Sequence, residues 1–166
     1  MKQTRLCPVP RYQIPIEEFR RLSSSWFFAW PINRDVSLYK RLFVSWLIIL
    51  PLTILISTGS LTLRNDIPKL IDVCLLLSLI LPMILIARQF LGWSYILKRL
   101  LSEKVEYEES GWHDGKIWEK PINWKERDLL IAQYEVRPAI NQLTNPMLII
   151  SLLMLISTIF YFQFPS

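Results

Sequence analysis

"LFVSWLIILPLTILISTGS", Leu42 to Ser60, is a run of 19 residues without a charge. At about 1.5 Å of rise per residue it makes a helix of roughly 28 Å, close to the hydrocarbon thickness of a bilayer. "PMLIISLLMLISTIFYFQF", Pro146 to Phe164, is a second run of 19 uncharged positions. Between them Leu70 to Leu97 is also apolar, but Asp72, Pro82 and Arg88 interrupt it. A charge at the bilayer centre costs about 2.5 to 3.5 kcal/mol on insertion scales, which sets this span at residues 70–87 with Arg88 at the interface. Phe90, Trp93 and Tyr95 then follow as an aromatic belt, and Pro82 reads as a tolerated kink.

Working outward, the expected fold class is an all-α integral membrane protein: three transmembrane helices with a small hairpin-and-helix module. The length of 166 residues argues for one structural unit. Residues 1–41 form an N-terminal arm, 42–60 the first span, 61–69 a short loop, 70–87 the second span, 88–145 the module and 146–164 the third span. Eight basic residues precede the first span and eight lie between Lys98 and Asn145, whereas the short loop holds only Arg64 and Lys69. By the positive-inside rule the arm and the module share the cytoplasm-equivalent side. The net charge of +5 is therefore a topology signal. No basic stripe with interleaved stacking aromatics accompanies it, and no nucleic-acid partner is expected.

In the arm, Ile16, Phe19, Leu22 and Trp26 recur at spacings of three and four and run into "WFFAWP", which contains Trp26 and Trp30. Such a helix lies on the membrane surface with its tryptophans at headgroup depth or packs on the rest of the domain, and the first placement is favoured. The first 25 residues lack the apolar core of a secretory signal and the Arg- and Ser-rich composition of a transit peptide. The expectation is a protein made in the compartment where it works, or one targeted by its first span. Cys7 and Cys74 have no pairing or metal-ligand spacing and read as isolated thiols.

In the module, Val105 and Tyr107 alternate with Glu106 and Glu108, and Asp114-Gly115 carries the signal of a two-residue hairpin turn. That register sets His113 opposite Lys116 and Trp112 opposite Ile117, with the acidic residues on a wet face. Asn123 and Glu126 have the form of a capping box, so a helix is expected from about Trp124. Leu129, Ala132, Val136, Ile140 and Leu143 line one side of it. Pro138 is a candidate kink, and Asn145-Pro146 reads as the cap and first residue of the third span.

Glu106, Glu108, Glu109, His113 and Asp114 have the donor types of an iron, manganese or zinc site. Yet the Glu-x-x-His pairs of a di-iron bundle are missing, and a lone histidine beside a turn is more often simply solvated. With one histidine, no nucleophile elbow, no phosphate loop and no dinucleotide glycine pattern, neither enzymatic activity nor a cofactor is expected. Tyr107, Trp112, Trp118, Trp26 and Trp30 are the partner-docking candidates, because large amphipathic rings anchor interfaces. For Trp112 and Trp118, packing in a small core or at lipid headgroups is the commoner fate.

"CPVPRYQIPIEEF", "SWFFAWP", "YEESGWHDGKIWEKP" and "RDLLIAQYEVRPAI", in this order, resemble the plastid-encoded hypothetical open reading frame thirty-six family, related to the proteins conserved in the green lineage and diatoms. His113 departs from the pattern, which usually has Tyr there, and this weakens a ligand role for it. The resemblance implies a multi-pass membrane protein of chloroplasts or cyanobacteria, expected in the thylakoid or plastid envelope, with the inside being stroma or cytoplasm. It also implies a link to photosynthetic fitness and to adaptation to iron limitation. An accessory or assembly factor for a photosynthetic membrane complex is the leading expectation, and an iron-handling protein using Glu106 to Asp114 the alternative.

Overall fold

The computed structural model describes residues 8–32, 38–108 and 115–163. After a 3-10 turn at Arg11–Gln13 come α1 (Pro15–Ser24), α2 (Leu38–Thr58), α3 (Leu61–Asn65) and α4 (Ile67–Leu101). The strands β1 (Lys104–Tyr107) and β2 (Lys116–Glu119) follow, then α5 (Ile122–Ile131), a π-helical segment at Ala132–Val136, and α6 (Arg137–Gln163). The protein is thus mostly helical, and the described residues hold one small hairpin and three helices long and apolar enough to cross a membrane. The single unit expected from length is corrected: the chain forms two compact units, Met1–Ile32 with Gly92–Ile140, and Asn33–Leu91 with Asn141–Ser166. The polar segments close a core of their own, so the apolar helices are not the only hydrophobic centre.

In the second of these units the helices present apolar side chains outward on many sides. Ile48, Leu55, Ile71, Leu148 and Leu152 are all more than half exposed. Buried apolar side chains such as Leu42, Ile86 and Ile150 are joined there by small polar contacts. Trp46 Nε1 donates to Ser78 Oγ at 2.8 Å, and Ser78 Oγ in turn donates to the Leu75 carbonyl at 2.7 Å. Thr53, Ser57 and Ser78 are buried, and Ser157 Oγ donates to Asp72 Oδ1 at 2.6 Å. Hydrogen bonds between apolar helices average about 0.6 kcal/mol, so such contacts set register more than they supply stability.

Prolines do not end these helices. Pro51, Pro82 and Pro146 all lie inside them. The expectation that Asn145-Pro146 starts a helix is therefore corrected: α6 already runs from Arg137. Broken backbone hydrogen bonds are most costly in apolar surroundings, which favours carrying the helix through one missing N–H. Pro138 lies two residues past the end of the π-helical segment, whose wider turn eases the clash of its ring with the carbonyl four residues earlier.

The first unit has a closed core. Trp93, Ala132 and Val136 have no exposed surface, and Ile16, Phe19, Trp30, Ile96, Leu100, Val105 and Tyr107 are buried with them. The favoured surface placement of the amphipathic helix is corrected here. Ile16 and Phe19 of α1 face protein, and the Phe19 ring meets Trp93 edge-on at 6.1 Å. Trp93 likewise leaves the expected aromatic belt, because it is buried and its Nε1 donates to the Phe28 carbonyl at 3.2 Å. Gly92 makes room for this approach. A Cβ there would lie 2.6 Å from the Phe28 ring.

Candidate functional site

The hairpin and the helix after it carry most of the candidate residues. β1 and β2 are antiparallel, with Lys104 opposite Glu119, Val105 opposite Trp118, Glu106 opposite Ile117 and Tyr107 opposite Lys116. The expected pairing of His113 with Lys116 and Trp112 with Ile117 is thereby corrected. The two-residue turn fails because it would pair β2 with "SGWH", a stretch with a glycine and little β-branched character. In the observed register Val105 and Tyr107 turn inward together with Trp118, while Lys104 and Glu106 stay exposed. Gly115 does not adopt left-handed backbone and its Cβ position is open.

Val9, Val105 and Tyr107 form a small buried cluster, with Ile14 and Trp118 packed against it. Gln13 ties the N-terminal arm to this hairpin edge. Its side-chain amide donates to the Glu108 carbonyl at 3.1 Å and accepts from the Glu108 N–H at 2.9 Å, much as a neighbouring strand would. Trp118 also meets Trp124 edge-on at 5.3 Å, and the Arg127 guanidinium lies 5.3 Å over the Trp124 ring. The helix carrying Trp124 begins at Ile122 with Pro121 as its N-cap, so Asn123 is inside the first turn and makes no cap. Its buried stripe continues as Asp128, Ala132, Val136, Ala139 and Leu143, whereas Leu129, expected in that stripe, is exposed.

Two cations hold the unit together. Arg99 near the end of α4 meets Glu18 Oε2 at 3.1 Å through Nε. Its Nη2 donates to the Gln13 carbonyl at 2.9 Å and to the Glu106 carbonyl at 3.4 Å. Burial pushes the Glu18 carboxyl above the usual glutamate range, against the opposing pull of Arg99 and Arg21. Lys120 Nζ meets Asp128 Oδ2 at 2.9 Å with both side chains essentially unexposed. The same ammonium donates to the carbonyls of Arg99 and Leu100 at 2.9 and 3.0 Å, placing a positive charge where the α4 dipole ends negative. Sequence reading missed Gln13, Arg99, Lys120 and Asp128, because nothing local distinguishes them from solvated polar or charged side chains.

Of the docking candidates, Tyr107 and Trp30 are buried and Trp118 is half-buried. Trp26 is 79% exposed beside Phe27 and Trp30. Trp112, Glu109, His113 and Asp114 lie outside the described residues. Among the described residues no three His, Cys, Asp or Glu side chains gather at a common point. Glu106 is exposed and Glu108 is half-buried. Large apolar side chains remain on the surface of the unit, notably Ile117 at 64% and Tyr134 at 75% exposure, with Ile122 and Leu130. Beside Ile117 a cavity of about 280 Å³ is lined by Tyr95, Lys98, Arg99, Lys104 and Glu106 among others.

The comparisons with known proteins converge. The chain is similar to the protein designated ycf36 of Pyropia yezoensis, 39% identical over 160 residues that cover 95% of this chain and 96% of the relative. The ycf36 protein of Cyanophora paradoxa is also 39% identical, covering 89% and 93% of the two chains. A chloroplastic protein of Arabidopsis thaliana named for conservation in the green lineage and diatoms is 32% identical over 84% of this chain and 43% of its own length. No solved structure matches. The relatives are plastid-encoded or chloroplastic. The model of the CGLD27-like family, described as conserved in the green lineage and diatoms 27, matches residues 7–149, and the chain belongs to that family.

Proposed function

We propose that the protein is a non-enzymatic, three-span protein of the thylakoid membrane that serves as an accessory or assembly factor for a photosynthetic complex. In this reading the unit built from the arm, the hairpin and α5 lies in the stroma and docks the partner. The observation that carries it is the contrast within this unit. Its own core is closed over Trp93, Val105 and Val136, yet Ile117 on β2 and Tyr134 on the π-helical segment stand exposed, with Lys98 and Lys104 close to Ile117. Large apolar side chains framed by charge suit a partner interface. Membrane insertion is supported by the outward apolar faces of the long helices, since soluble monomers rarely expose such continuous surface.

A photo-crosslinking residue at Ile117, used in native membranes and read by mass spectrometry, tests the docking role. The expected product is a crosslink to a subunit of a photosynthetic complex. Capture of lipid alone would refute docking. Cysteine labelling at Asn65 and at Ser102 should report opposite sides of the membrane, and both on one side would end the three-span topology. Glu108→Gln with Glu109→Gln should leave complex formation intact, whereas Trp112→Ala and Trp118→Ala should impair it. Stoichiometric iron that vanishes in the double Gln variant would favour the metal-handling alternative instead.

A further inference from the structure

Asp72 is a carboxylate within the apolar helix α4, and only one of its two oxygens has been accounted for above. Its Oδ1 accepts from Ser157 at 2.6 Å, but its Oδ2 is buried and has no hydrogen-bond partner among the described residues. It lies on the wall of a cavity of about 690 Å³. The other lining residues come from α2 (Phe43, Trp46), α4 (Pro68, Ile71, Leu75, Leu79) and α6 (Leu153, Ile156, Ser157, Phe160), and apart from Ser157 they are apolar or aromatic. A cavity of this size is within the usual range for small-molecule sites, and ionisable groups among membrane helices mark function by default. From Pro68 to Leu79 the lining runs about 16 Å along α4, with Asp72 one turn from one end.

We propose that this cavity binds a single-chain lipid alcohol, its hydroxyl on Asp72 Oδ2 and its chain running toward Leu79. The inference rests on reading the long helices as membrane spans, because the ligand would enter from the bilayer. The choice of head follows from hydrogen-bond bookkeeping. A hydroxyl donates to an ionised carboxylate and accepts from a protonated one, so it satisfies Oδ2 in either state. An ammonium serves only the first state and an ester carbonyl only the second. Ser157 already occupies Oδ1, which leaves one position for one head group. The uniformly apolar remainder of the wall suits a hydrocarbon chain and offers nothing to a second polar group.

Trp46 lines the cavity and reports occupancy. The purified full chain in lipid nanodiscs is titrated with a chain-brominated octadecanol and, separately, with the matching brominated octadecane. Quenching at Trp46 is the difference between the wild type and Trp46→Phe. The alcohol should quench at about ten-fold lower membrane concentration than the alkane, a ratio corresponding to ~1.4 kcal/mol. Asp72→Leu should abolish that preference, while Asp72→Asn, whose amide both donates and accepts, should keep it. Leu75→Phe, which fills the cavity without touching the carboxylate, should weaken quenching by both probes. Equal quenching by both probes in the wild type overturns the proposal. So does an alcohol preference that survives Asp72→Leu, or quenching that Leu75→Phe leaves unchanged. Loss of the protein from the membrane fraction on carbonate extraction would instead refute the membrane reading itself.

Discussion

Replacing Lys120 with Met removes one side chain and uncovers three acceptors. In the wild type its ammonium meets Asp128 Oδ2 at 2.9 Å and the carbonyls of Arg99 and Leu100 at 2.9 and 3.0 Å. Breaking a buried ion pair from one side costs about 3 to 5 kcal/mol, because the remaining charge is stranded. Asp128 keeps Arg127 Nη2 at 3.2 Å, and this remaining cation, although 42% exposed and partly screened, argues for the lower end, about 3 kcal/mol. Opening of the unit should then become roughly 100-fold more frequent. Hydrogen exchange at the backbone reads this directly, and amides of β1, β2 and the first turn of α5 should exchange faster by about that factor. Lys120→Met combined with Asp128→Leu should recover most of the loss, since no uncompensated charge remains. About 1 kcal/mol should persist from the uncapped carbonyls of α4. Lys104→Met is the control, because its pair with Glu119 is 3.7 Å long and exposed. Exchange in Lys120→Met no faster than in Lys104→Met would refute the assignment of Lys120 and Asp128 as the lock of this unit.

Gly92→Ala places a methyl 2.6 Å from the Phe28 ring, so overpacking of about 1 to 3 kcal/mol should release the N-terminal arm, visible as new protease cleavage before Trp30. Gly115→Val should stay within about 0.5 kcal/mol of the wild type in the same proteolysis assay, since its Cβ meets nothing and its backbone is not left-handed. Glu18 titrates above the usual glutamate range because burial disfavours its charge, so the folded state holds that proton more tightly than the unfolded chain does. Its contribution to stability is full below the unfolded value and is lost as pH rises through the raised folded value. Denaturation of the Glu18→Gln variant should lack that decline, and an unchanged pH profile would count against it. Trp46→Phe deletes the donor to Ser78, which keeps its bond to the Leu75 carbonyl, so thermal stability should fall by no more than about 1 kcal/mol.

The uncharged runs Leu42–Ser60 and Pro146–Phe164, with the largely apolar stretch 70–87 between them, announced three long helices from composition alone, because an apolar stretch of that length has few other stable forms. The alternation of Val105 and Tyr107 with Glu106 likewise announced a strand and its buried face, since side chains on extended backbone alternate sides. Local signals failed where a distant group outweighed them. Asp114-Gly115 favours a tight turn, but pairing "KVEY" with "KIWE" buries Val105, Tyr107 and Trp118 together, and that burial set the register. Asn123 has a capping side chain, yet Pro121 ends the strand segment and starts the helix two residues earlier. Trp93 has the composition of an interfacial belt, and only the arrival of Phe28 and Phe19 from the N-terminal arm makes it core. Gln13 acts on Glu108, and Lys120 on Leu100, across 95 and 20 positions of chain. A charged or amide side chain looks the same in sequence whether water or a helix end awaits it, so these roles were decided by tertiary contact alone.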